Sequence, residues 1–172
     1  PLAEAVIQAG GTAKRYSHWS GHDLSTRRGT CKLVDDLVTD SPDLVWWSPP
    51  CGADSPPQNG NQKSDDQRTA LACKRHRSAR IRKNIVGAMR ELGKRAPHLR
   101  HSIAHALGQP GCCRSWNMEL RTVKDKFHVA KIHGCAWDTH AESSNKLVKK
   151  SWHIASTEED LTQIVGRVCP NH

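Results

Sequence analysis

Leu44-Val45-Trp46-Trp47 is an unbroken apolar run, closed on one side by Pro42-Asp43 and on the other by Ser48-Pro49-Pro50. It is too short for a helix of useful length, and it has no polar face. Its expected state is therefore a strand buried on both faces, which needs covering layers above and below. Helical spacing supplies them: Leu2, Ala5, Val6 and Ala9 over residues 2–9, ended by Gly10-Gly11; Leu33, Val34, Leu37 and Val38 over residues 30–39; and Leu71, Ile81, Ile85, Met89 and Leu92 over residues 65–94. Ser156-Thr157-Glu158-Glu159 has the form of a capping box before a last helix whose apolar face is Leu161, Ile164, Val165 and Val168. Further short strands are expected over residues 13–19, before a turn at Ser20-Gly21, and over residues 103–107, 127–132 and 152–155. Helices and short apolar strands thus alternate, which predicts an α/β fold with a mostly parallel sheet and helices on both faces, as a single domain over residues 1–172.

The chain carries 26 Lys and Arg against 17 Asp and Glu, a net charge of +9. A field of that sign favours a polyanion, with nucleic acid as the expected partner: DNA first, RNA as the alternative. The charge is concentrated. Lys74, Arg75, Arg77, Arg80, Arg82 and Lys83 crowd the middle of the long helix, and Glu91 is the one acid between Lys74 and Arg95. Such residues are expected to meet phosphates, with a solvated basic surface as the plainer reading. No run approaches the length of a membrane span, and no basic segment followed by an apolar one opens the chain. The seven cysteines are irregularly spaced, which points to reduced thiols and an intracellular setting, nuclear if the partner is DNA. The abrupt start inside a helix reads as a piece of a longer chain.

Cys51 follows the Leu44–Trp47 run through two prolines that stiffen the backbone. In an open α/β sheet, ligands sit beyond the carboxyl ends of the strands, where this run delivers Cys51. A fixed, partly exposed thiol in a positive field suits a nucleophile; a buried structural cysteine after a proline turn is the competing reading.

The wider segment, Asp43 through Pro49-Pro50-Cys51-Gly52-Ala53-Asp54-Ser55, resembles the catalytic motif of cytosine-C5 DNA methyltransferases. Gly21-His22-Asp23-Leu24 resembles that family's segment whose acid lies near the adenine of S-adenosylmethionine, and Gly108-Gln109-Pro110 stands where the family has Glu-Asn followed by Val or Pro. Lys149-Lys150-Ser151-Trp152-His153-Ile154 resembles its basic residues leading into a strand. The resemblance implies a methyltransferase (Rossmann)-like fold incomplete at its start. It assigns catalytic places to Cys51, Ser55, Gln109, Lys149 and Lys150, and cofactor contacts to Asp23 and Pro49. In that family the target base is flipped out of the duplex, the thiolate adds to C6, C5 takes the methyl group, and a carboxylic acid beside N3 assists. Here three parts of the pattern are missing. Gly108 or Gln109 replaces the acid, no Phe-x-Gly-x-Gly loop precedes Leu2, and few residues follow Trp152 where a target-recognition domain would stand. An amide can hydrogen-bond a base edge but has no carboxylic proton to give.

Two other readings stand beside this one. The first is a basic nucleic-acid-binding domain without catalysis. The second is a zinc-stabilised interaction module, in which Cys73-Lys74-Arg75-His76 and Cys169-Pro170-Asn171-His172 would be paired, with His133-Gly134-Cys135 and Cys112-Cys113 as further donors. His98, His101 and His105 lie close together without a ligand spacing.

Overall fold

The computed structural model describes residues 2–49, 53, 64–106, 127–137, 146 and 151–169. Helix α1 spans Leu2–Gln8 and buries no residue. Helix α2 spans Arg27–Asp40; Thr26 caps it by accepting the Gly29 N–H at 3.1 Å, and Ser41, at φ 44°, closes it. Its Leu33, Val34 and Leu37 face inward. Strand β1 is Leu44–Trp47, as its apolar run dictates, but only Val45 and Trp47 are buried and Leu44 is exposed, so the expected burial on both faces is not met at this edge of the sheet. Helix α3 spans Asp65–Arg95, about 46 Å at 1.5 Å per residue. Ser64 caps it, Asp65 and Asp66 occupy its first turn and Lys94 and Arg95 its last, so its terminal charges oppose the helix dipole.

Strand β2 covers Arg100–Ala106, β3 His128–His133 and β4 Ser151–Ser156, and a short helix α4, Glu159–Val165, follows. The sheet order is β1-β2-β4-β3. β1 pairs with β2 in parallel, Trp47 opposite Ile103, while β4 is antiparallel to both its neighbours. The sheet is therefore mixed: β1, β2 and β3 share a direction, but only one of the three pairings is parallel. An expectation of a mostly parallel sheet fails here because an apolar strand reads alike in either direction.

Residues opposite each other in register point to the same side. Val45, Trp47 and Ile103 share one face and pack with α2 and α3 in a core that includes Leu37, Ile85, Met89 and Leu92. α2 and α3 run in parallel over this face: Asn84 Nδ2 donates to the Leu24 carbonyl at 2.7 Å near one end, and Arg95 pairs with Asp35 at 2.8 Å near the other. Ala130 and Ile154 point to the opposite face, where Gly166 at the end of α4 packs against Ala130. Helices thus cover both faces of the sheet.

Three expectations change. Residues 13–17 form no strand; Ser17 instead caps a 3-10 turn at His18–Ser20, ended by Gly21 at φ 83°. Ser156 lies in β4 and caps no helix; its hydroxyl bonds Ser102 at 2.8 Å and accepts the Glu158 N–H at 3.0 Å. In α4 the buried residue is Thr162, while Ile164 is exposed, and Val168, expected on its apolar face, lies beyond its end and is exposed too.

Candidate active-site edge

β1 and β2 end, and β4 begins, at the same edge of the sheet, because β4 runs against β2 with Trp152 opposite Ala106. β3 ends there too, with His133 opposite Ser151. Four of the five residues expected to act in catalysis adjoin these strand ends in sequence: Cys51 four positions past Trp47, Gln109 three past Ala106, and Lys149 and Lys150 directly before Ser151. Those four, with Ser55, Gly108 and Pro110, lie outside the described residues. What the fold fixes is the edge from which their segments start.

Two parts of that edge are described in detail. Pro49, buried, follows β1, and Ala53 lies in the segment beyond Cys51. The Arg75 Nε–H donates to the Ala53 carbonyl at 3.1 Å, so α3 is tied to the segment that carries Cys51. Two residues further along α3, Arg77 reaches Asp23 at 3.5 Å. Asp23 is set by an Asx turn in which its Oδ1 accepts the Ser25 N–H at 2.9 Å, while its carbonyl accepts from Thr26. The bonds from Ser25, and then the charge of Arg77, hold the Asp23 carboxyl below the usual carboxylate range. A rigid anionic acceptor of this kind, one-third exposed, can take hydrogen bonds from hydroxyl or amine donors.

The basic cluster divides. Leu71, Ser78, Ile85 and Leu92 recur every seven residues and are all buried. Arg75 and Arg82 stand in the same inward stripe. Arg82 is 3% exposed, so it cannot meet a phosphate, and Arg75 is half-buried against Ala53. Lys74, Arg77, Arg80 and Lys83 are exposed. The sevenfold spacing that starts at Leu71 is the sequence signal for this division.

His22, to which the Gly21–Leu24 pattern gave no role of its own, is buried between Ser20, whose hydroxyl is 2.9 Å from Nδ1, and Asp36, whose Oδ2 is 2.7 Å from Nε2. It fixes the turn that carries Asp23 onto α2. Two further histidines take structural partners: His98 bonds Ser41 at 2.8 Å and His101 receives the buried Trp47 indole N–H at 3.4 Å. Among the described residues no group of three or more His, Cys, Asp or Glu side chains is arranged to hold a metal. Cys73 and His76 are exposed on α3, and no such group joins them to Cys169. No described helix is long and apolar enough to cross a membrane. Comparison of the chain with models of known families, with curated proteins and with solved structures finds no match.

Proposed function

We propose that this chain is a cytosine-C5-methyltransferase-like domain that binds nucleic acid, preferentially DNA, along the edge where β1 ends, with Cys51 as the nucleophile toward cytosine C6. The observation that carries this reading is the convergence at one sheet edge. The segments bearing Cys51 and Gln109 leave that edge, Lys149-Lys150 directly precede the strand that begins there, and Arg75 of α3 bonds the Ala53 carbonyl in the first of these segments, with Arg77 two residues on paired to Asp23. Exposed Lys74, Arg77, Arg80 and Lys83 meet the phosphates. A positive setting favours the Cys51 thiolate, which would add to C6 of an extruded base. Asp23 serves as an acceptor for a nucleoside hydroxyl or amine, the contact that S-adenosylmethionine would use; when bound, that group supplies the methyl. With Gln109 in place of the carboxylic acid, N3 receives a hydrogen bond without a proton, which slows the addition by about 10²–10⁴-fold.

The test is covalent trapping on DNA carrying 5-fluorocytosine in the presence of S-adenosylmethionine, read by intact mass. An adduct that Cys51→Ser abolishes supports the nucleophile. Salt-sensitive binding without an adduct leaves a second reading, a binding domain without catalysis, favoured by the missing acid. Absence of both would overturn the proposal.

A further inference from the structure

The turn that leads onto α2 joins a hydroxyl, an imidazole and a carboxylate in one chain of hydrogen bonds. The Ser20 hydroxyl lies 2.9 Å from His22 Nδ1, and His22 Nε2 lies 2.7 Å from Asp36 Oδ2. His22 is 7% exposed, and the Tyr16 ring packs against it at an angle of 80°, with centroids 5.0 Å apart. Ser20 stands exposed at the end of the 3-10 turn, directly before Gly21. A base shielded from water beside an accessible hydroxyl is the arrangement that nucleophilic catalysis uses. Lys32 first, and then His22, hold the Asp36 carboxyl below the usual carboxylate range, so it stays ionised and accepts the Nε2–H. The neutral ring then presents its lone pair at Nδ1, facing Ser20.

We propose that Ser20, His22 and Asp36 form a hydrolytic site for aryl esters, with Ser20 as nucleophile, His22 as general base and Asp36 as a positioning residue. The two ring nitrogens are used in the reverse of the usual serine-hydrolase order, but each group keeps its role. Ser20 Oγ bonds the ester carbonyl carbon while its proton passes to Nδ1. The imidazolium then gives that proton to the leaving phenol oxygen as the carbon–oxygen bond breaks. Water repeats both steps on the acyl-serine and frees the acid. The Ser17 N–H donates to Ser20 Oγ at 3.0 Å and supports charge there, while the Ser17 carbonyl, 2.9 Å from Oγ, competes with Nδ1 for the hydroxyl proton. The N–H groups of Ser20, Gly21 and His22 already donate to the Ser17 and His18 carbonyls, so they are not free for a substrate oxyanion. Lys32, bonded to Asp36 at 2.6 Å, brings a cation beside the turn: its Cε would lie 3.6 Å from a Cβ on Gly21. A missing oxyanion donor costs about 10²–10³ in rate, which confines the site to esters with a good leaving group. Trp19, 88% exposed and one residue before Ser20, offers an aromatic face to the phenol ring of such an ester.

The test treats the whole chain, folded and in urea, with a fluorophosphonate, from which an activated serine displaces fluoride, and maps the adduct by peptide mass spectrometry. The proposal expects an adduct on Ser20 in the folded chain only. It also expects hydrolysis of p-nitrophenyl acetate that Ser20→Ala lowers by about tenfold or more. Asp36→Asn, whose amide N–H favours the other tautomer, lowers kcat by a similar factor with KM unchanged, a split that a purely structural role would not give. Circular dichroism checks that each variant folds; if Ser20→Ala does not, the wild-type adduct decides. No Ser20 adduct, equal labelling of the folded and unfolded chain, undiminished hydrolysis by folded Ser20→Ala, or an unchanged kcat in folded Asp36→Asn each overturn the proposal and leave the three residues as a lock on the turn. An adduct at Ser20 depends neither on Cys51 nor on DNA, so this site and the Cys51 reading stand or fall separately.

Discussion

At the scale of single residues, the turn that carries Asp23 is held by close contacts. A Cβ on Gly29 would stand 2.5 Å from the Asp23 backbone nitrogen and collide with its carbonyl oxygen. Gly29→Ala is therefore expected to cost about 1–3 kcal/mol, read as a lower urea midpoint with an unchanged slope. Nothing in the sequence singles out that glycine, because the clash comes from a residue on a separate turn. Tyr16 offers a second test. Its hydroxyl donates to Asp40, and burial first, then Asp40, raise its pKa well above the usual tyrosine range. The folded state thus favours the protonated phenol. That stability is present below the unfolded value near pH 10 and is lost as pH rises from there toward the folded value. Urea midpoints followed upward from pH 9 should fall for the wild-type chain, and fall less for Tyr16→Phe. An equal fall in both would remove Tyr16 as the cause.

Among the elements, α3 buries one stripe in the core and leaves Lys74, Arg77, Arg80 and Lys83 exposed, a division its sequence shows once the sevenfold stripe is followed. Arg77 and Arg80 are exposed, so removing either should weaken DNA binding and reduce the salt slope by about one. Arg82 is buried, so Arg82→Ala should lower the urea midpoint while leaving the salt slope of the folded protein unchanged. A slope change in Arg82→Ala equal to that in Arg77→Ala would show that the division of the cluster is wrong. Truncating Leu92, which is fully buried, should cost about 2–5 kcal/mol in the same unfolding measurement. The helices and strands were largely legible because strong periodicity survives in any packing: β1 matches its apolar run, and α3 runs from Asp65 one residue past the expected end. The last helix forms as expected over Glu159–Val165, but its cap does not, because Ser156 of Ser156-x-x-Glu159 ends a strand instead. There the Ser156 hydroxyl finds Ser102 across β2, a partner 54 positions away in sequence.

For the whole molecule, β2 and β4 lie inside the sheet, β1 and β3 lie at its edges, and α1 buries nothing. Hydrogen exchange should therefore be slowest in β2 and β4 and fast throughout α1. Slow exchange in α1 would reveal packing that these contacts lack. The α/β class, most element positions and the basic helix followed from the sequence alone, because apolar period and charge are local properties of the chain. Strand order, the reversal of β4, the inward turn of Arg82 and the bond from the Cys169 N–H to His133 did not. Each depends on which distant segment lies alongside, and that is decided only when the whole core closes and every buried strand has found its hydrogen-bonding neighbours.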